Sequence, residues 1–264
     1  MRKHLYTTIF ALFTLSTIAT AQANLAHEIG FFAGPVTLQS DFGERHNVDT
    51  NVGNAGFGFG VAHWLNFSAA NNRDRYFPEH FKIRSELSFS RTNLRHFGEW
   101  VERKPDGLFA QQLKNMKGTS TVIGLGSQLE FSPFRSIHNF ENSVGGISPY
   151  FSAGFMVSYY SAKLNSRLGD MSLPNVTPGK YLTPSDGRAH GFSSENGITL
   201  AATAGIGVHY KLTTMSDLMF ETKFQMYSSD WIDGLNPNRD IYTENKSNDW
   251  QVWFNFGYIY YLEF

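Results

Sequence analysis

Asp249-Trp250-Gln251-Val252-Trp253-Phe254-Asn255-Phe256-Gly257-Tyr258-Ile259-Tyr260-Tyr261-Leu262-Glu263-Phe264 is the stretch that decides the fold. Trp250, Val252, Phe254, Phe256, Tyr258, Tyr260, Leu262 and Phe264 occupy every second position. Successive side chains of a β-strand point to opposite faces, so this spacing builds one unbroken apolar and aromatic face. The run is longer than the common globular strand of about 5–6 residues. A strand this long, greasy along one whole side, suits a surface that meets acyl chains.

Working back from it, seven more segments alternate at period two. The first, about His27 to Leu38, turns Ile29, Phe31 and Ala33 one way and Glu28, Gly30 and Gly34 the other. The second, about Gly53 to Phe67, sets Phe57, Phe59 and Val61 against Gly58, Gly60 and Ala62. The third sets Phe81, Ile83, Leu87 and Phe89 against Lys82, Arg84, Glu86 and Ser88. The fourth to sixth run over about 119–131, 149–161 and 198–210. The seventh, about Asp217 to Tyr227, opposes Leu218, Phe220 and Phe224 to Glu221, Lys223 and Gln225.

Eight strands of this kind predict a single all-β domain, an eight-stranded antiparallel transmembrane up-and-down β-barrel. Its connections fall at about 39–52, 68–80, 93–118, 132–148, 162–197, 211–216 and 229–248, and long and short ones alternate. Long loops outside and short turns inside are the outer-membrane pattern. The alternative is a soluble sandwich or lipocalin-like barrel, which would bury the apolar faces and leave the terminal aromatic stripe short of partners.

The N-terminus gives the same address. Arg2, Lys3 and His4 precede a moderately apolar run from Leu5 to Ile18, and Ala19-Thr20-Ala21 offers a small-x-small cleavage site. That is the plan of a secretory signal peptide, expected at 1–21, with the barrel domain over 22–264. The run is too short and too polar for a stable helical span. The mean hydropathy of −0.30 fits a barrel whose strands are half polar. With no cysteine there is no disulfide framework and no thiol chemistry. A net charge of −1 gives no sign of a nucleic-acid partner.

An eight-stranded barrel is filled by side chains. Lys82, Arg84 and Glu86 must then meet Glu221 and Lys223 in a narrow interior, where charges have to pair. The expectation is a lumenal ion-pair network between the third and seventh strands, with Glu28 and Glu130 as further acids. The functional alternative for the same residues is an ion or proton path.

Loops are where a rigid scaffold usually carries its function. Ser229-Asp230-Trp231-Ile232-Asp233-Gly234 follows the seventh strand. Asp230 and Asp233 could hold calcium, but no twelve-residue calcium loop is present. Turn capping by Asp230 and interfacial anchoring by Trp231 is the simpler expectation. No cofactor site is expected: Gly56-Phe57-Gly58-Phe59-Gly60 lacks the dinucleotide spacing and lies on a strand. No GxSxG or HExxH occurs. His209 could face Ser127 or Glu130, yet their strands are not neighbours in an up-and-down barrel. The chain is therefore expected not to be an enzyme.

His27-Glu28-Ile29-Gly30, Asp230-Trp231-Ile232-Asp233 and Asn248-Asp249-Trp250 together resemble the small PorG-like outer-membrane barrels of Bacteroidota. The end of the chain on an alternating strand and Phe264 is similar to the C-terminal signal of outer-membrane barrels. Phe42-Gly43, Tyr181 to Gly187 and Trp231 to Tyr261 look closer still to a set of flavobacterial barrels. The resemblance implies an outer-membrane barrel without catalytic residues. Its partners would be outer-membrane lipid and the periplasmic lipoproteins of a type IX secretion complex. The long loops after the third and fifth strands depart from that family. Function is thus expected to be that of an envelope anchor or scaffold. A surface-loop ligand-binding or transport barrel is the alternative, and a lipid-modifying enzyme a weaker one.

Overall fold

The computed structural model describes residues 25–43, 52–67, 76–243, 245 and 247–262. The expected signal peptide and the terminal Phe264 lie outside these residues. Eight strands form: β1 Ala26–Gln39, β2 Ala55–Asn66, β3 Phe81–Arg95, β4 Met116–Phe131, β5 Ile147–Ser166, β6 Asn196–Thr213, β7 Ser216–Tyr227 and β8 Trp250–Leu262. Each pairs antiparallel with the next, and β8 closes on β1 from His27↔Leu262 to Gln39↔Trp250. Closure leaves no edge strand, so the backbone polar groups of the wall are satisfied within it.

Among the described residues, one end carries 67, 76–80, 132–146 and 214–215, and the other carries 40–43, 52–54, 96–115, 167–195, 228–243, 245 and 247–249. The connection read from sequence as 211–216 is a tight turn at 214–215. The Thr213 and Ser216 hydroxyls bond at 2.7 Å and the Met215 N–H donates to Thr213 Oγ1 at 3.2 Å, so polar residues that look like loop carry the ladder to its end. β5 likewise runs on to Ser166, past the expected end at Ser161, where the outward residues Lys163 and Asn165 are polar and break the apolar pattern. Among the described residues, five short helices sit in the connections: α1 Tyr76–His80, α2 Glu99–Glu102, α3 Leu108–Asn115, α4 Ile137–Glu141 and α5 Gly179–Leu182.

Burial is inverted relative to a water-soluble protein. Phe31, Phe57, Leu125, Phe155, Leu200 and Phe256 stand exposed on the outer face, while Glu28, Lys82, Arg84, Glu86, Glu221 and Lys223 are buried within. An apolar belt of this extent is stable only against hydrocarbon. No helix among the described residues is long and apolar enough to cross a membrane; the strands do so. The chain is an outer-membrane barrel.

The interior also has an apolar half. Phe32, Val36, Ala62, Trp64, Tyr150, Met219, Trp253 and Ile259 form one buried cluster inside the wall. The glycines of β2 make room for it: a Cβ at Gly58 would lie 2.2 Å from the Trp253 ring and one at Gly60 2.4 Å from Phe32. β8 is thus aromatic along its lipid face, while its inward face gives Trp253 and Ile259 to this cluster.

Candidate functional site

Arg84 sits at the middle of the lumen. Its guanidinium reaches Glu130 Oε1 at 2.9 Å and Glu221 Oε1 at 2.8 Å, with Glu86 Oε2 at 3.7 Å. Lys223 closes on Glu86 from β7. Neutral groups complete the set. Gln128 accepts from Arg84 at 2.6 Å and donates to Glu86 at 3.0 Å, while Ser152 and Asn255 donate to Glu221 and Trp64 Nε1 donates to Glu130 at 2.9 Å. The alternation of β3 and β7 places Lys82, Arg84, Glu86, Glu221 and Lys223 inward, and the narrow bore brings opposite walls within hydrogen-bonding reach. Burying one charge alone is costly, so each is met by several partners.

A lower tier seals the short-turn end. Lys82 Nζ donates to Glu28 at 2.6 Å, and Asn66 bridges Glu28 and Glu141. Lys211 pairs with Asp217 at 3.2 Å and lies 3.6 Å over the Tyr261 ring, whose hydroxyl donates to Asp217 at 2.6 Å. α4 tucks Ile137 and Phe140 beneath this tier. Sequence reasoning missed Lys211, Asp217 and Glu141. Extending the sixth strand by one inward position would have found the first.

The long-loop end is a folded cap. The stretch 228–236 bends into the barrel mouth, and Trp231, Ile232 and Leu235 join Leu38, Phe42, Met116, Tyr160 and Tyr181 in one buried cluster. Trp231 is only 7% exposed and carries the Arg188 guanidinium 3.8 Å over its ring. It packs inward and does not face lipid, because Ile232 and Leu235 need the same cover. Asp230 is buried and pairs with Arg239 at 3.3 Å. Asp233 accepts from the Leu235 N–H at 2.6 Å and the Asp41 N–H at 3.0 Å; Asp249 accepts from Ile232 and Asp233. Burial, and then the charge of Asp41, pushes the Asp233 carboxyl well above the usual carboxylate range. Asp233 and Asp249 thus tie loop backbone together. No group of three or more His, Asp or Glu suited to a metal occurs among the described residues.

Beside the cap lies a cavity of about 630 Å³, walled by Phe97, Trp100, Phe109, Leu113 and Tyr181, with Asp41, His96 and Lys180 as polar members. That is the size of a small-molecule site. His96 stacks on Phe42 at 4.5 Å, and its Nδ1 accepts from the Gly43 N–H at 3.5 Å. Burial, with Lys180 as a lesser cause, lowers its pKa to about 3. The ring is neutral and carries its proton on Nε2, which has no partner among the described residues.

His209 Nε2 does come within 3.4 Å of Glu130, across non-adjacent strands, because the bore is narrow. Ser127 is on the outer face, where its hydroxyl donates to the Arg84 carbonyl. The serine and histidine are thus on opposite sides of the wall.

No protein-family model matches the chain, and no curated protein does. Among solved structures it is similar to neisserial surface protein A, at 11% identity over 89% of this chain and 96% of that one, with a TM-score of 0.44. It is also similar to a major outer membrane protein of Thermus thermophilus, at 10% identity, 90% and 99% coverage and a TM-score of 0.47. A third is the attachment invasion locus protein of Yersinia pestis, at 12% identity, 91% and 99% coverage and a TM-score of 0.41. At these identities the likeness is one of fold alone.

Proposed function

We propose that this chain is a non-catalytic outer-membrane protein that serves as an envelope anchor or scaffold, holding a folded loop cap at the membrane surface. The observation that carries this reading is the Arg84 cluster, which fills the bore from β3 to β7. Planar-bilayer recordings of the refolded mature protein test it. Silence, or rare small events, is the expected result; large steady channels would overturn it. The separation of Ser127 from His209 supports the non-enzymatic part. Unaltered lipid A in a deletion strain is its test.

The cavity beside His96 supports a second role, binding of a small molecule by the surface loops. Aromatic walls and one unsatisfied neutral donor suit a ring-bearing ligand with a hydrogen-bond acceptor. In nanodiscs, 2-acetylnaphthalene should quench tryptophan emission saturably and bind about fivefold more tightly than 2-ethylnaphthalene. Equal behaviour of the two probes would remove this role.

The finer reading, an anchor for periplasmic lipoproteins of a type IX secretion complex, draws on the PorG-like resemblance. It draws also on Phe134, 76% exposed in the turn 132–146 at the end opposite the cap. A photo-crosslinker placed at Phe134 in living cells should trap lipid-modified periplasmic proteins. Cross-links confined to barrel-assembly factors would count against it.

A further inference from the structure

One flank of the outer wall is strongly charged. On β3, β4 and β5 the outward residues stand in cross-strand rows. Phe89, Ile123 and Tyr159 form the last apolar row toward the long-loop end. Above it come Arg91–Thr121–Ser161, then Asn93–Thr119–Lys163, then Arg95–Lys117–Asn165. The Arg167 N–H bonds the Asn115 carbonyl and carries another cation just beyond. Outward rows on a strand are about 7 Å apart and neighbouring strands about 5 Å, so the four cations of the grid share a patch of roughly 14 by 10 Å.

The grid contains no carboxylate, and Arg91, Arg95, Lys117 and Lys163 have no ion pair among the described residues. Arg95 and Lys117 stand directly opposite each other. Like charges so placed weaken a sheet unless an anion joins them. Among the described strand residues the feature is also confined to one side. The matching outward positions elsewhere are Met226 beside Trp250, and Thr37 beside Ala55 and Val252. A general need for polarity at the membrane rim would have spread the charge around the ring.

We propose that this flank binds the phosphate-bearing headgroup of an outer-leaflet lipid. Its acyl chains lie on the Phe89, Ile123 and Tyr159 row, and its phosphates meet the cations immediately above. Arginine offers paired donors that fit phosphate, lysine adds point charge, and the intervening Thr, Ser and Asn supply further hydrogen bonds. The site depends neither on the closed bore nor on the loop cavity.

The test uses the refolded full-length mature protein in detergent, with lipid A (a diphosphorylated, acylated glucosamine disaccharide) and its dephosphorylated form as probes. Native mass spectrometry reads the lipid retained, and heat-dependent gel migration reads folding. Wild-type protein should retain lipid A at least about tenfold better than the dephosphorylated lipid, with retention falling as salt rises. Arg95→Gln, Lys117→Gln and Lys163→Gln together should abolish the preference, while Arg103→Gln with Lys104→Gln, in the loop outside the grid, should leave it intact. Should the triple variant misfold, Lys163→Gln alone must still lower retention. Equal retention of the two lipids by wild type, indifference to salt, or displacement by millimolar inorganic phosphate would each overturn the proposal.

Discussion

Arg84 and Glu221 touch across the full width of the barrel: Nη2 lies 2.8 Å from Oε1, between strands four places apart in the ring. Opposite walls are thereby tied through their side chains as well as through the backbone ladder around the circumference. The same guanidinium also satisfies Glu130 on β4, so a single residue neutralises acids from two directions.

Arg84→Met should therefore be among the most damaging single changes to the interior. It leaves Glu130 and Glu221 buried without their cation, and breaking such a group costs about 3–5 kcal/mol. Urea unfolding of the refolded barrel in detergent measures this. A change below about 1 kcal/mol would mean that Lys223, Trp64 and Asn255 suffice.

Gly58→Ala tests the close approach inside β2. The added methyl would sit 2.2 Å from the Trp253 ring, so something must move. Overpacking of this kind costs about 1–3 kcal/mol or more. Combining it with Trp253→Leu should recover part of the loss, and a double-mutant cycle by chemical unfolding reads the coupling.

Trp231→Ala should loosen the cap and spare the barrel. Removing a buried tryptophan costs about 3–5 kcal/mol where the site cannot collapse. Cleavage by trypsin at Arg188, whose guanidinium rests on the Trp231 ring, should speed up while the heat-dependent gel shift of the barrel persists. If Trp231 instead anchored the chain in the interface, membrane retention would change and loop cleavage would not.

Cap stability should depend on pH in two opposed ways. Burial lowers the pKa of His96 to about 3, so the folded form binds its proton less readily than the unfolded chain does. The stability this group contributes is complete above an ordinary histidine value of about 6.5 and declines as pH falls, by roughly 3 kcal/mol at pH 4. His96→Phe should flatten that decline. The Asp233 carboxyl is raised by burial and Asp41, so its contribution is complete in acid and is lost as pH rises through the raised value. Asp233→Asn should remove that loss. Hydrogen exchange of segment 228–249 against pH measures both.

The wall of the protein is legible in its sequence because period-two alternation states directly which residues face lipid. Ile29, Phe31, Phe57 and Phe256 are outward as the pattern requires, and Glu28, Arg84 and Glu221 are inward. Alternation fails where an outward position is polar: Lys163 and Asn165 made the end of β5 look like loop and so concealed the cationic flank. It is silent about which inward residues meet, since that depends on bore width; hence the unread contacts of Lys211 with Asp217 and of His209 with Glu130. The cap is the least legible part. Trp231 beside Asp230 and Asp233 suits an interfacial turn as well as a buried one, and only packing against residues far away in the chain, such as Leu38 and Tyr160, decides between them.

The placement of Arg84 has a consequence for how the cylinder is made. Its counter-charges are distributed over the third, fourth and seventh ribbons, so a half-built curl threaded into the bilayer one hairpin at a time would carry this charged group into oil without its partner from the opposite wall. The cation is fully matched only when the seventh ribbon arrives, just before the seam between first and eighth is sewn. Biogenesis must therefore either hold the nascent sheet in a wet environment until late or deliver it nearly whole.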